Sequence, residues 1–405
     1  MTMRKVAVVG VGQLPFRSRY PDKSYLRMAM EVSKQALEDA GLDQKDIDGA
    51  VYPLPCELML RQQFAELWLQ EYLGLRGKPM LKVTALAATS GHGVFAAFNW
   101  IASGMADILL VVAPGRGNDV YDFETRSRGD GIRKYGYQMH QNLIWETPVF
   151  PGGVPAPLTV ANLLPHIEKY GSPTIEQLAQ VAVKNHKNAL VNPMAQLKLD
   201  LTVDDVLNSR IVAWPTTLYQ CSLQSEGAAA LILASEEKAK AISKTPIWIA
   251  GVSCIEYAVG FLLTEDNLGR FRGQNIAAQK AYEMAGIKDP LNELDVIEVL
   301  DFISGLEIML YEEFGLCKLG EGGRLVDEKV TEKNGWMPVN PSGGCGARGH
   351  YDSVTGIHAL GDIVLHLREQ AGPIQVPIRK RGMGLMSSAS GLYDLNSIVI
   401  LQRER

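Results

Sequence analysis

The chain has 405 residues, of which 46% are hydrophobic and 21% charged, and its formal net charge is −5. This composition is typical of a globular protein with two or three domain-sized units, and it excludes a disordered chain and a basic nucleic-acid-binding surface. No apolar run reaches membrane length and no signal-peptide core follows the first residues, so we expect a cytoplasmic protein without nucleic-acid or membrane partners.

Five cysteines are scattered along the chain without the Cys-x-x-Cys spacing of a zinc site, at Cys56, Cys221, Cys254, Cys317 and Cys345. Their odd number argues against a disulfide framework. We therefore expect reduced thiols and no metal site.

The first predicted strand covers residues 6–10 and leads into a Gly-Val-Gly sequence. A dinucleotide-binding loop would need a third glycine where the chain has Pro15, so we interpret residues 10–12 as a turn at the end of a strand. Ser24 is typical of a helix N-cap, and the apolar periodicity that follows predicts a helix ending at Gly41.

Residues 80–104 are the stretch around which the rest of the chain is organised. Residues 81–86 predict a strand, residues 87–91 a tight turn of small residues, and residues 94–102 an amphipathic helix. Such a turn presents one side chain and several backbone N–H groups at a helix N-terminus, which suits a nucleophile and an oxyanion. Ala88 lies at the tip of this turn and carries no functional group.

The second half of the chain repeats a pattern of the first. A helix, an Ala-Gly-aliphatic sequence, an acidic linker and a strand occupy residues 36–51 and again residues 275–299. The repeat predicts two α/β halves, residues 1–240 and 241–405, with the active site where they meet. Residues 115–215 are rich in Gly, Pro, Tyr and Asn and predict an inserted loop or cap region, with helices near 158–170 and 175–190.

Several stretches, in the right order, resemble the thiolase superfamily, and most closely its sterol-carrier-protein-type and archaeal-type branch. Residues 88–91 (Ala-Thr-Ser-Gly) lie where the family has Cys-Ala-Ser-Gly, and residues 225–229 resemble its Asp-Gly-Ala-Ala segment. Residues 183–193 resemble the cap segment of this branch. Residues 340–344 (Asn-Pro-Ser-Gly-Gly), followed by Gly-His at 349–350 and Thr-Gly at 355–356, resemble the most specific family motif.

The resemblance implies a thiolase fold, in which two duplicated βαβαβ-type halves form α-β-α-β-α layers with an inserted loop domain. It implies an acyl-CoA substrate, a homodimer and no permanently bound cofactor, with coenzyme A as substrate or product. Members of this branch often pair with a small zinc-ribbon and OB-fold protein. Residues 55–68 are a candidate docking surface for such a partner, and a buried dimer helix is the alternative.

This chain departs from the family at the catalytic positions. Where the family has a nucleophilic cysteine, this chain has Ala88, and where it has a fourth-motif Asn or His, this chain has Leu300. Ser388 occupies the position of the C-terminal cysteine. Only His350, which activates the nucleophile in the family, is retained, so two-cysteine chemistry cannot run on this sequence.

Two side chains are the candidate acid–base groups. His350 is suited to proton transfer near neutral pH. Asp301 is either a buried base with a raised pKa or, as we favour, the cap of a helix that begins near Ser304. His92 is equally compatible with the site and with solvent.

Further candidates surround the turn and the glycine-rich motif. The backbone N–H groups of Ala88 and of Ser390 or Gly391 predict an oxyanion hole, and Ser90 and Gly344 belong to the same predicted substrate-binding set. Ser90 is a possible nucleophile that we interpret as structural.

Three other reactive or charged side chains are weaker candidates for the site. We interpret Cys345 as a small buried thiol and Arg348 as a solvated loop residue rather than a contact for an acidic acyl chain. The reactivity of Cys56 depends on a lowered pKa that sequence does not show.

Three functions remain open. In the first, position 88 is a cysteine in the natural protein and the enzyme is a degradative thiolase that cleaves a branched or aromatic 3-oxoacyl-CoA. In the second, Ala88 is native and the enzyme is a retro-aldol lyase acting on a 3-hydroxyacyl-CoA, although Leu300 and His350 stand where such lyases are expected to have tyrosines. In the third, the chain is a non-catalytic CoA-binding subunit, which the retained Gly-His motif disfavours. We rank the thiolase first and the lyase second.

Overall fold

The computed structural model describes residues 3–55, 57–60, 62–117, 121–122, 127–128, 155–257, 268–390 and 393–404. The strands are β1 (Val6–Arg17), β2 (Gly49–Pro53), β3 (Met80–Val83), β4 (Ile108–Gly115), β5 (Tyr121–Asp122), β6 (Ser127–Arg128), β7 (Ile211–Ala213), β8 (Thr216–Thr217), β9 (Glu226–Ser235), β10 (Ile247–Glu256), β11 (Val296–Glu298), β12 (Met383–Ala389) and β13 (Leu395–Arg403). The helices are α1 (Tyr25–Ala40), α2 (Glu57–Leu60), α3 (Ala65–Tyr72), α4 (Thr89–Ala102), α5 (Pro155–Tyr170), α6 (Ile175–Val191), α7 (Val203–Leu207), α8 (Glu236–Ile242), α9 (Arg272–Ala285), α10 (Pro290–Glu293), α11 (Ser304–Glu313), α12 (Gly322–Asp327) and α13 (Thr355–Leu367).

Nine strands form one mixed sheet in the order β11-β12-β13-β10-β1-β9-β4-β2-β3. The two halves of this sheet join where Ala7 pairs with Trp248 and Val8 with Ile247, antiparallel. Strand β2 runs parallel to β3 and β4, and β11 runs parallel to β12. Every residue of β9 is buried, which shows that helices or strands cover both faces of the sheet there.

Helices cover the two halves of the sheet in a repeated way. Helix α1 packs on β1 and β9, and helix α9 packs on β10 and β13. Helices α4 and α13 pack on each other and on strands of both halves, and their apolar residues share one core cluster with the inner faces of the strands. This arrangement of helices on one large mixed sheet agrees with the α/β class expected from the sequence.

Helices α1 and α9 end with the same type of glycine C-cap. Gly41 follows α1 with φ 66° and ψ 32°, and Gly286 follows α9 with φ 65° and ψ 35°. This left-handed conformation favours glycine, and in both caps the glycine N–H donates to carbonyl oxygens of the last helical turn. Ser24 caps the start of α1 as predicted, since its side chain accepts from the backbone N of Arg27.

The predicted turn at residues 10–12 is wrong, because β1 continues through both glycines to Arg17. A Cβ atom on Gly10 would lie 2.2 Å from the carbonyl oxygen of Ala36, and one on Gly12 would lie 2.0 Å from that of Val32. The glycines therefore allow α1 to approach the strand closely, and they do not mark a chain reversal.

The central stretch has the predicted order of strand, turn and helix with different boundaries. Strand β3 ends at Val83, and α4 begins at Thr89 rather than at residue 94. The helices predicted near 158–170 and 175–190 are α5 and α6. Much of the predicted cap, residues 118–120, 123–126 and 129–154, lies outside the described residues. Within the described ranges, no helix is both long and apolar enough to cross a bilayer.

Candidate active site

The turn before α4 places Ala88 in a fully buried position. Leu86 has φ +50°, a left-handed conformation that costs about 1–3 kcal/mol for a residue with a side chain. The hydroxyl of Thr89 accepts from the backbone N of Ala85 at 2.7 Å and ties the turn together. The fold therefore presents position 88 at a strained turn, although the side chain there is a methyl group.

Ser90 connects this turn to the motif around His350. Its hydroxyl donates to the carbonyl oxygen of Ser353 at 2.9 Å and accepts from the backbone N of Gly356 at 3.1 Å. Both hydrogen-bonding directions of the hydroxyl are used in joining α4 to the start of α13. This geometry supports the structural interpretation of Ser90.

His350 lies beside this junction and is 7% exposed. Its Nδ1 is 2.9 Å from Oγ1 of Thr355, and its Nε2 is 3.2 Å from Oδ1 of Asp352. The ring edge of Phe302 packs against the imidazole with ring centroids 5.2 Å apart. The sequence interpretation did not include Asp352, although a carboxylate two residues after the histidine was a usable signal.

Asp301 does not cap helix α11, whose N-cap is Ile303 without a side-chain hydrogen bond. Instead, its Oδ1 accepts from the backbone N of Cys345 at 2.7 Å, and its Oδ2 accepts from Asn185 Nδ2 at 3.1 Å. Burial, followed by the charge of Glu307, raises the pKa of Asp301 to about 7. The prediction of a helix cap is wrong because the backbone of the glycine-rich loop supplies a better donor.

A buried network of hydrogen bonds links Asp301, through Asn185, to Glu307. Asn185 and Asn340 both donate to Oε2 of Glu307 at 2.8 Å, and Lys184 pairs with the same carboxylate. Asn340 also accepts from the backbone N of Val299 at 2.8 Å. The Asn-Pro-Ser-Gly-Gly motif therefore begins with a residue that holds the loops of the site in place.

The described cysteines are poorly suited to act as nucleophiles. Cys345 is fully buried, and burial, followed by the charge of Asp301, raises the pKa of its thiol well above the usual value. Its Sγ lies 3.9 Å from Nδ1 of His350. Burial also raises the pKa of Cys221 to about 11 and that of Cys254 and Cys317 to about 12. Protonated thiols are weak nucleophiles, and Cys56 lies outside the described residues.

The predicted oxyanion hole is not assembled in this structure. The backbone N of Ala88 donates to Ala85 O at 3.0 Å, and the backbone N of Ser390 donates to Leu395 O at 2.9 Å. Gly391 lies outside the described residues. Gly344 adopts φ +60° with its Cα so close to Asp301 that a Cβ would lie 2.6 Å from Oδ2, which indicates a packing role.

Ser388 lies on β12 next to the turn. Its Oγ is 2.8 Å from Oγ of Ser397 and 3.5 Å from the carbonyl oxygen of Ala88. His92 also faces this carbonyl, with Nδ1 3.1 Å away, and burial lowers its pKa. Ser388 and Ala88, which occupy the positions of the two family cysteines, are therefore neighbours.

Arg348 is neither solvated nor directed at a substrate. It is 1% exposed, and its Nη1 lies 3.3 Å from Glu298, 3.1 Å from Asp362 and 3.0 Å from the hydroxyl of Ser342. The two carboxylates compensate the buried charge. The guanidinium therefore stabilises the loop that carries His350.

Comparison with known proteins places the chain in a family. Residues 262–403 match the family model described as Thiolase C-terminal domain-like. Over 385 residues the chain is 34% identical to an acetyl-CoA acetyltransferase of Methanothermobacter thermautotrophicus, with 94% of this chain and 95% of the relative covered. The chain belongs to the thiolase superfamily.

Two further likenesses fit this assignment. The chain is 31% identical over 398 residues to sterol carrier protein 2 of Bos taurus, with 92% of this chain and 68% of the relative covered. The solved structure of the Ltp2-ChsH2(DUF35) aldolase superposes on this thiolase-superfamily chain with a TM-score of 0.81 at 22% identity, covering 99% of this chain and 98% of that one. The predicted family and the mixed α/β thiolase fold are confirmed, and the roles of individual site residues stay predictions.

Proposed function

We propose that the chain cleaves or forms the carbon–carbon bond next to the thioester carbonyl of an acyl-CoA. The geometry favours a retro-aldol route over an acyl-enzyme route. The observation that carries this choice is the combination of a methyl group at Ala88 with an acid–base pair, His350 and Asp352, on the adjoining loop. Removing the nucleophile abolishes the covalent route, while proton transfer remains possible.

A retro-aldol reaction needs a base for the 3-hydroxyl proton and a donor for the enolate oxygen, and it needs no thiol. The Ltp2-ChsH2(DUF35) protein, which shares this fold, is named an aldolase, in line with this chemistry. The retained Gly-His motif, with Asp352 in contact with His350, also supports a catalytic subunit over a non-catalytic CoA-binding subunit.

Thiolytic cleavage is the second candidate, and the names of the relatives favour it. Both archaeal relatives, 34% and 32% identical, are named acetyl-CoA acetyltransferase. The turn before position 88 is strained at Leu86, with φ +50°, and position 88 is where the resemblance places the family's nucleophilic cysteine. Under this candidate the natural residue at position 88 is a cysteine, and the substrate is a branched or aromatic 3-oxoacyl-CoA.

Ala88→Cys separates the two candidates. The variant is incubated with a panel of straight, branched and aromatic acyl-CoAs and its intact mass is recorded. Ala85→Cys, in the same turn, is the matched control for unspecific acylation. In parallel, the unmodified chain is assayed for aldehyde or ketone release from 3-hydroxyacyl-CoAs.

We expect the unmodified chain to release an aldehyde or ketone. An acyl adduct on Cys at position 88 that disappears when His350→Ala is added, together with no release by the unmodified chain, would instead support the thiolase. Neither an adduct nor release would contradict both candidates and leave the non-catalytic subunit.

The proposed assembly is a homodimer, with a small zinc-ribbon and OB-fold subunit as a possible addition. Strand β3 is one of the two outer strands of the sheet, at the end opposite β11, and Leu81 on it is 44% exposed. On the neighbouring helix α3, Leu67, Trp68 and Tyr72 are each more than half exposed. An exposed edge strand beside an apolar helix face is typical of a protein interface.

A further inference from the structure

The imidazole of His350 contacts two side chains of different chemistry. Nδ1 lies 2.9 Å from the hydroxyl of Thr355, and Nε2 lies 3.2 Å from the carboxylate of Asp352. An unprotonated ring nitrogen and a carboxylate oxygen are both acceptors, so the second contact requires a proton between the two atoms.

The Thr355 hydroxyl does not change this conclusion. Its Oγ1 accepts from the backbone N of Tyr351 at 3.0 Å and lies 3.0 Å from the carbonyl oxygen of the same residue. If the hydroxyl donates to this carbonyl, Nδ1 donates to the hydroxyl. If the hydroxyl donates to Nδ1, the ring carries its proton on Nε2. In the first arrangement a proton on Nε2 as well makes the ring an imidazolium, and in the second the ring is neutral; a hydrogen bond from Nε2–H to Oδ1 of Asp352 is compatible with both.

Asp352 is also the accessible part of this loop. Every other residue in the range 347–355 is buried, whereas the Asp352 side chain is 16% exposed and that of His350 is 8% exposed. The backbone N–H groups of Ala88 and Ser390 are already bonded to carbonyl oxygens. Within residues 347–355, the Nε2–Oδ1 pair is therefore the accessible source and acceptor of a proton.

We propose that Asp352 is a further catalytic residue that works with His350 as a proton-transfer pair, an inference that rests on the carbon–carbon bond cleavage proposed above. The Asp352 carboxylate takes the proton of the 3-hydroxyl group, and the oxygen electron pair forms a carbonyl at C3. The C2–C3 bond breaks, and its electrons form the thioester enolate, whose oxygen accepts a hydrogen bond from Nε2–H of His350. The proton on Asp352 then passes to C2, which gives a ketone or aldehyde and a shortened acyl-CoA without any co-reactant.

The reverse of the last step provides the test. In D2O, the same pair should exchange the C2 protons of acetyl-CoA or propionyl-CoA for deuterium, which NMR follows directly. We expect the unmodified chain to catalyse exchange and Asp352→Asn to slow it by about 10²–10⁴-fold, the usual contribution of a general acid or base. The acyl-CoA concentration that gives half-maximal exchange should stay unchanged. Asp352→Glu should recover part of the rate, and Asp43→Asn, an exposed carboxylate variant, should exchange normally.

A spectroscopic measurement reports the proton itself. In the 15N-histidine-labelled chain, the shared proton is expected as a downfield resonance coupled to the ring nitrogen of His350, assigned by its absence from His350→Gln. In Asp352→Ala it should vanish, because nothing then accepts it and it exchanges with water.

The outcomes separate this inference from the proposed function. Cleavage or exchange by the unmodified chain together with an unchanged rate in Asp352→Asn overturns the pair and leaves the function standing. Absence of the resonance from the unmodified chain also overturns the pair. If the resonance is present but the unmodified chain catalyses neither exchange nor cleavage, the pair is only structural. That outcome overturns the proposed function as well.

Discussion

At position 88 a methyl group lies where the fold offers a strained turn and the start of a helix. The neighbouring hydroxyls are already bonded, Ser90 to the loop of His350 and Ser388 to Ser397, and Asp301 is bonded to the backbone of Cys345. None of them is placed to replace a missing thiol. The proposed chemistry therefore depends on His350 and Asp352.

The buried carboxylate of Asp301 should make stability depend on pH. Its pKa is raised from the ordinary 3.8 to about 7, so within this window the folded chain holds a proton that the unfolded chain has lost. The free energy of unfolding must then fall as pH rises from about 4 to about 7. Asp301→Asn should reduce this slope by at most about 1.4 kcal/mol per pH unit, the effect of one proton.

Urea unfolding of both chains at several pH values between 4 and 8 measures the slope. Part of it should persist in Asp301→Asn, because burial raises the pKa of Glu298 to about 7 as well. Asp43→Asn, whose side chain is exposed, should leave the slope as it is. An identical slope in Asp301→Asn would show that this carboxylate is ionised in the folded chain.

At the scale of elements, close contact between a helix and a strand explains the two glycines that the sequence pattern wrongly predicted to form a turn. Helix α1 approaches β1 so closely that residues 10 and 12 cannot carry a Cβ. The pairs Gly-x-Gly and Ala-Gly thus have different uses, the first for packing inside a strand and the second for ending α1 and α9. Only the second use leaves a local signal, because a helix C-terminus needs a left-handed residue.

Gly12→Ala should destabilise the chain. The new Cβ would lie 2.0 Å from the carbonyl oxygen of Val32 and 2.9 Å from the backbone N of Ala36, so helix α1 would have to shift. We expect a loss of about 1–3 kcal/mol, typical of an overpacked core.

The urea midpoint of Gly12→Ala, at an unchanged m-value, gives this loss. Gly346→Ala is the matched control, since its nearest contact would be an ordinary 3.5 Å from Cys221 O. Equal midpoints for Gly12→Ala and the unmodified chain would refute the close-packing explanation.

At the scale of the whole molecule, the active-site loops come from both halves. The turn at Ala88 belongs to the first half, and His350, Asp352 and Asp301 belong to the second. Helices α4 and α13 pack against each other, and Ser90 joins their starting residues. The site therefore exists only when both halves are folded and packed.

Leu81→Lys tests the proposed dimer. A charge on the outer strand β3 should prevent pairing with a second copy and shift the chain from dimer to monomer. Sedimentation velocity gives the mass directly. Ile211→Lys, on the exposed strand β7 where the side chain is 56% exposed, should leave the dimer intact. A monomeric unmodified chain, or a dimeric Leu81→Lys variant, would contradict this interface.

The sequence by itself determined the α/β class, the family, the caps of α1 and the two helices α5 and α6. These features depend on local periodicity, on helix-terminus chemistry and on long motifs that residues carry wherever they fold. Only the tertiary structure decided that Asp301 binds the Cys345 backbone, that Arg348 is buried between two carboxylates, that the Ala88 and Ser390 N–H groups are engaged, and that Asp352 reaches His350. Partners of this kind come from segments that are distant in sequence or folded sharply on one another, so no local pattern specifies which donor meets which acceptor.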